Sequence, residues 1–555
     1  MTESRWVPDT ATLTIGWRRL VAFVDEATTT LLQSAFSRVV TDAGDFSAAL
    51  FDRAGRMIVQ PSQGLPAFIG CLCLTMADFV RSVPAAALRD GDSYIQNDPW
   101  RGTGQINDLT LITPLFHRRA LVGFAANVAH ASDLGGRVLS ADSTDMFEEG
   151  LRLPLMRAFI AHRPNPDLFA LIRLNSRVPD LVLGDLQAQL AANRVLGRRV
   201  GEFLAEQPSM DFQVLADALL DHAEAAMRLA IAALPDGSYT TEVFTDGFDE
   251  AVRLAARVDI RGEEIFVDYA GSSPQSARGI NCCLNYTTAE TVFPLICVAR
   301  PGGLINGGSL RPLHVSAPPG CVLNPAPPAP LGARAMTSQF LQAVVFRALG
   351  GVVPDRVVAD CGTPAWLPVL AGRDQAGRPF VEMMFLNGGF GAGHDRDGIS
   401  CLGWPASFSG TPVEFTESEK PILIRRKELL PDSGGAGRSR GGLGQVFEWE
   451  SRAREPLILA VRGDRIHHPP LGMHGGAAGS CARLLRNGQP IHSKRTVAVE
   501  PGDVILLETP GSGGFGDPRE RSAEALARDL RDGTVTPHAA ERCYGRAVPA
   551  GEEDA

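Results

Sequence analysis

Residues 108–136 read DLTLITPLFHRRALVGFAANVAHASDLGG. The runs DLTLITPLF and ALVGFAANVAH are short, apolar and rich in β-formers, which predicts two strands joined by a polar turn around His117. Asp108 stands at the entry to the first strand, and the second ends in His130. Asp133 follows three residues later, in a loop closed by Gly135 and Gly136. A strand ending in histidine with an aspartate in the next loop can aim both side chains at one point.

Outward from this stretch the chain reads as a mixture. Leu20, Val21, Phe23, Val24, Leu31, Leu32 and Phe36 have helical spacing. SAALFDRAGRMIVQ, ending at Gln60, predicts strand, turn, strand. ADFVRSVPAAAL is helical until Pro84 interrupts it. Residues 180–233 read mainly as helix, and Pro235-Asp236-Gly237 is a strong break. YTTEVFTD, VRLAARVDIRG and EIFVDYAG then alternate like strands of an antiparallel sheet. Helices are expected around 287–299 and in SQFLQAVVFRALGG, with a proline-rich loop between them. From about 356 to 510 short strand-like runs are separated by many glycines, and the tail reads as two short helices broken at Asp532-Gly533.

The expected fold is α+β and multi-lobed. It has a mixed N-terminal lobe over 1–234, a β-rich central lobe with helices over 235–355, a glycine-rich β lobe over 356–518 and a helical tail over 519–555. A chain of 555 residues suits about two to four domains.

Composition excludes some chemistries. Of 53 basic residues only Lys420, Lys427 and Lys494 are lysine, and none follows a glycine. There is therefore no G-x-x-x-x-G-K-[ST] phosphate loop, and Schiff-base chemistry has few candidates. A net charge of -10 lacks the broad positive field of a general nucleic-acid binder. The N-terminus has no apolar signal region, and no stretch reaches about 18 uninterrupted apolar residues, so neither secretion nor a membrane span is expected. The ten cysteines contain no C-x-x-C pair, which favours reduced, mostly buried thiols in a cytoplasm.

The strongest candidate site lies in residues 97–150. Asn97-Asp98-Pro99 opens a polar loop, Gly102-Thr103-Gly104-Gln105 continues it, and Asp108 follows. Imidazole plus carboxylates from His130, Asp133 and the acidic loop Glu148-Glu149 would suit Mn, Zn or Fe, while capping of loop backbone is the structural alternative. Arg438 and Arg440 sit in a glycine-rich loop, 432–442, that could approach a ligand or partner and pair a carboxylate or phosphate. Gly511–Gly516 matches G-x-G-x-x-G, but no βαβ unit follows it, so a tight structural loop is expected. His467, His468 and His474 lack carboxylate neighbours in sequence and read as packing and turn residues. Cys282-Cys283 reads as buried small hydrophobes before a helix.

Taken together the segments AFSRVVTDAGDFSAALFDRAGRMIVQ, NDPWRGTGQINDLTL, AHASDLGG, FEEGLRLPLMR, GDLQAQLAANRVLGRRV, VDYAGSSPQ, DSGGAGRSRGGLGQ and TPGSGGFGDPRERSAEALARDLRDGTVTP, in this order, resemble the hydantoinase B/oxoprolinase family. The match runs from about residue 12 to 545. The resemblance implies a hetero-oligomer in which a hydantoinase A-type partner binds ATP and phosphorylates an amide or enol oxygen. This chain would complete the reaction on a small-molecule substrate and could hold a divalent metal such as Mn, Zn or Mg. The family's H-x-x-D falls on His130 and Asp133, expected to bind metal or orient water. Asp108 or Glu149 is the expected general base, with Asp98 a further catalytic candidate. Two departures weigh on that metal. Gln105 stands where many members carry histidine in a Gly-Thr-His loop, and Phe68 stands where many carry Pro-x-His-x-Gly. An oxygen-rich Mn- or Mg-like site and a metal-free variant both stay open. So do three activities: hydrolysis of a hydantoin, 5-oxoproline or lactam; carboxylation of the acetone or acetophenone type; and a non-catalytic scaffold.

Overall fold

A computed structural model describes residues 8–299 and 305–546. Its first sheet has seven antiparallel strands. They are β1 (Phe46–Asp52), β2 (Met57–Val59), β3 (Ser93–Gln96), β4 (Asp108–His117), β5 (Ala120–His130), β6 (Met156–Ile160) and β7 (Arg163–Pro164). Their spatial order is β2-β1-β5-β4-β3-β6-β7, so the quoted hairpin is central. Its loop is only Arg118 and Arg119, with φ of 48° and 68°. Two successive left-handed residues make the tight turn whose twist matches that of paired strands. This pins the register, and Asp108 lies directly opposite His130.

Both faces of the sheet are covered, which is why β4 and β5 read as nearly continuous apolar runs. Phe124, Ala126 and Val128 of β5 enter one core, while Ala125 and Ala129 enter another beneath the helices Thr10–Ser34 and Pro179–Glu206. Buried polar groups pin the second helix to the strands: Asn193 accepts from Asn127 at 2.9 Å, and Gln189 donates to the Leu109 carbonyl at 2.8 Å. The first helix ends at Ser34, and Phe36, assigned to its apolar stripe by spacing, lies beyond it and is mostly exposed.

Three further sheets follow. One holds Gly237–Thr245, Val252–Arg261, Glu264–Asp268 and Leu313–Ser316; the other two, of four and five strands, are built from residues 369–508. The α+β expectation therefore holds. One cluster of buried residues runs from Val39 to Ala460, while others lie wholly within residues 20–219 or 366–507. No helix among the described residues is long and apolar enough to cross a membrane.

The glycine loops of the C-terminal part pack against one another as bare backbone. A Cβ on Gly441 would stand 2.1 Å from the Ser512 carbonyl oxygen, and one on Gly511 would stand 1.9 Å from that of Ser433. Loop 432–442 thus makes a close backbone approach to another loop of the same chain. Gly441→Ala is expected to destabilise the fold by about 1–3 kcal/mol or more, because no flexible side chain can yield to the added methyl. An unchanged melting temperature for this variant would refute the packing argument.

Candidate functional site

Three backbone segments converge at the open end of the β4–β5 hairpin. The His130 amide donates to the Asp45 carbonyl at 3.0 Å, which ties the residue preceding β1 to the end of β5. Pairing of Phe46 with Ala129 continues that register. Asp45, Asp108 and His130 are thereby brought together, all nearly inaccessible to solvent.

The geometry around Asp108 is fully determined by its partners. Oδ1 lies 2.8 Å from His130 Nδ1. Oδ2 accepts from the Thr103 hydroxyl at 2.7 Å and from Arg334 Nη2 at 2.7 Å. Burial would raise this carboxyl, but Arg334 and His130 outweigh it and hold it below its usual range. Asp108 is therefore the acceptor and His130 Nδ1 the donor. In the neutral ring Nε2 then carries the lone pair, and it has no hydrogen-bond partner among the described residues.

Nε2 faces a small cavity of about 30 Å³, lined by Asp45, Phe68, Gln105, His130, Arg334 and Arg462 among others. Such a space holds one or two waters. Asp45 Oδ1 also lacks a partner among the described residues, and burial, partly opposed by His130, pushes its carboxyl up to about 6. Arg334 lies with its guanidinium 4.1 Å from the centre of the Tyr286 ring and bonds Gln105 Oε1. Burial opposes its charge, but Asp108 prevails and holds it above its usual value. Arg462 is buried too, donating from Nε to the Leu367 carbonyl and from Nη2 to Met383 Sδ, both at 3.2 Å. Burial, then the neighbouring Arg334, push its guanidinium down to about 9, so it is still a cation at neutral pH. Met383 also lines a wide open cleft of about 1080 Å³ between residues 35–42, 177–181, 374–383 and 417–420.

The other expected site residues stand elsewhere. Asp133 does not join His130: its Oδ2 accepts from the Arg177 amide at 2.5 Å and its Oδ1 from the Arg177 side chain. Asp98 pairs with Arg152 at 2.5 Å and caps Trp100. Glu148 pairs with Arg137 at 3.1 Å at the surface. Glu149 is buried, and its Oε1 accepts from the Ser143 hydroxyl and from the amides of Leu331 and Gly332. It shapes the turn that delivers Arg334 and does not line the cavity. Arg438 reaches Glu520 and the His394 carbonyl, while Arg440 is buried against Asp529, so both bind the C-terminal helices to their loop. His468 pairs with Asp246 at 2.9 Å and His474 with the Gly350 carbonyl at 3.0 Å. Burial pushes the Cys282 thiol up to about 12, the opposite of an activated nucleophile.

Burial pushes Glu149 up to about 7. The folded chain then holds this proton more tightly than the unfolded chain. Its contribution to stability is complete below the ordinary carboxylate range and is lost as pH rises toward about 7. Glu149→Gln is expected to flatten the stability–pH curve across that window. An unchanged slope in pH-dependent urea unfolding would exclude Glu149 as its source.

The divalent metal implied by the resemblance does not fit this donor set. Phe68 offers no ligand atom, and Gln105 gives its oxygen to Arg334 and its amide to the Gly332 carbonyl. Both oxygens of Asp108 are taken. One ring nitrogen and one carboxylate remain beside two fixed guanidinium charges, an environment that repels a divalent cation. Among the described residues no group of three or more His, Cys, Asp or Glu side chains is placed to hold a metal.

Asp45, Arg334 and Arg462 were not singled out by sequence reasoning. Asp45 carried a weak signal, as an acid just before a strand; Arg334 and Arg462 carried none among 50 arginines.

Residues 9–518 match the family model described as hydantoinase B/oxoprolinase. An uncharacterized protein of Methanocaldococcus jannaschii is 30% identical over 93% of this chain and 92% of its own length. The caprolactamase subunit beta of Pseudomonas jessenii is 29% identical over 97% and 96%. The crystal structure of the ATP-dependent caprolactamase from Pseudomonas jessenii superposes with a TM-score of 0.90, at 26% identity and 98% coverage of each chain.

Proposed function

The chain belongs to the hydantoinase B/oxoprolinase family, and from that premise we propose that it is the hydrolytic subunit of an ATP-dependent cyclic amidase. In this reading an A-type partner subunit binds ATP and phosphorylates the amide oxygen of a hydantoin, 5-oxoproline or lactam. The likeness to a caprolactamase subunit supports a lactam among these. The ten free cysteines suit a reducing cytoplasm.

The observation that carries the proposal is the Asp108–His130 pair, buried beside a small cavity and with Nε2 unpartnered among the described residues. Asp108 fixes the imidazole tautomer and stabilises the imidazolium once it forms. His130 Nε2 takes a proton from a water as that water's oxygen bonds to the activated carbon. The ring C–N bond then breaks, the nitrogen leaving with a proton, and a second water releases the phosphoryl group. Burial of the site strengthens each of these electrostatic contacts and excludes competing solvent. Asp45, which lines the same cavity with its Oδ1 unpartnered, orients the attacking water.

The test is ATP turnover by the chain reconstituted with an A-type partner, screened against hydantoins, 5-oxoproline, lactams, and ketones with bicarbonate. Turnover with at least one cyclic amide is expected. Turnover with none overturns the proposal, and turnover that needs ketone plus bicarbonate assigns carboxylation instead.

A further inference from the structure

We propose that the cavity beside His130 is an oxyanion site, in which Arg462 and Arg334 supply the positive charge for a carboxylate or phosphoryl oxygen of the ligand. The inference rests on the reading of this cavity as the reaction site and names the chemistry it recognises.

Three observations support it. Arg462 is 2% exposed, yet it forms no ion pair with any carboxylate among the described residues; its contacts are two carbonyls and a thioether. A buried cation is ordinarily paired, and this one opens onto a cavity. Arg334 stands in the same cavity with its Nε unpartnered, held by Asp108, Gln105 and the Tyr286 ring. Finally, the side chains at positions 68 and 105 contribute no cation ligand, so the positive charge in this space belongs to guanidinium groups. Two such forks match the planar or tetrahedral oxygens of an anion and remain charged throughout the working pH range.

Size narrows the ligand. About 30 Å³ suits the oxygens of one carboxylate or the tip of one phosphoryl group. Asp45 is the one carboxylate lining the cavity with an unpartnered oxygen, and it sits without an ion-pair bond to Arg462. It therefore sets a preference for an anion that brings its own proton or sits on the arginine side.

The test uses the full chain without any partner subunit, so its outcome is independent of the turnover screen. Inorganic phosphate and acetate are titrated separately by calorimetry at low salt into the wild type, Arg462→Met, Arg462→Lys and Arg438→Met. One-site binding of at least one anion is expected, weakened at least tenfold in Arg462→Met, several-fold in Arg462→Lys, and unchanged in Arg438→Met. Tighter phosphate identifies a phosphoryl ligand; tighter acetate identifies a carboxylate. If Arg462→Met does not fold, Arg462→Lys decides, because it keeps the charge and loses the fork. Absence of binding by the wild type, or equal binding by the Arg462 variants, overturns the proposal. So does stoichiometric Mn, Zn or Mg retained by the wild type after desalting and lost in Asp45→Ala.

Discussion

His130→Ala is expected to lower turnover of the reconstituted complex by about 10²–10⁴-fold, the usual worth of a placed general base. The fold should survive, because Asp108 keeps Thr103 and Arg334 as partners and the change enlarges an existing cavity. The loss should fall on kcat more than on KM, since the imidazole acts as bonds change. Asp108→Asn separates the base from its orienting group. An asparagine can present its amide to Nδ1, which shifts the ring proton to Nε2 and removes the acceptor. A loss of similar order is expected with the imidazole still present. Asp133→Asn should leave turnover within a few-fold of the wild type, since that carboxylate serves Arg177. His130→Ala turning over within threefold of the wild type would remove His130 from the mechanism.

Lys494→Met is expected to be the most destabilising of these substitutions, by about 3–5 kcal/mol, the cost of leaving one member of a buried pair unpaired. Lys494 Nζ lies 2.8 Å from Asp464 Oδ2, with both side chains at most 1% exposed. Asp464 Oδ1 also accepts the amides of Asp246 and Arg465. Asp246 in turn accepts those of Ile466, His467 and His468. One lysine thus neutralises the carboxylate that organises segment 462–468, where Arg462 lies. The expected readout is a large fall in the urea midpoint together with weakened anion binding. Adding Asp464→Asn to Lys494→Met should recover part of the midpoint, because the orphaned charge is then gone. A loss under about 1 kcal/mol, or no recovery in the double variant, would show that the pair does not carry this load.

Much of the fold was legible in the chain because its signals are local. The hairpin at 108–130 followed from two apolar runs and a polar turn, and the long helix Pro179–Glu206 from its periodicity. Phe36 shows the limit of periodicity: it continues the helical spacing, but its backbone has already left the helix. In the candidate site, Asp108 and His130 were legible because strand register places them opposite each other, which is a property of one hairpin. Asp133 misled because proximity in sequence is not proximity of carboxylate; Arg177, 44 residues away, holds it.

Arg334 and Arg462 could not be found that way. Each is one arginine among 50, and their meaning lies in what surrounds them. Arg334 reaches Asp108 across 226 residues of chain, and Arg462 meets the Gly332 carbonyl across 130. Burial and the absence of an ion-pair partner are properties of the assembled core, with no counterpart in composition or spacing. The sequence alone determined the family, the α+β class, the lack of a lysine phosphate loop and the Asp108–His130 hairpin, because each rests on local pattern or register. Tertiary structure alone decided that loop 432–442 packs on its own chain, that Asp133 serves Arg177, and that two buried guanidinium groups face His130. Those depend on which distant segments exclude water from one another, and long-range packing settles that.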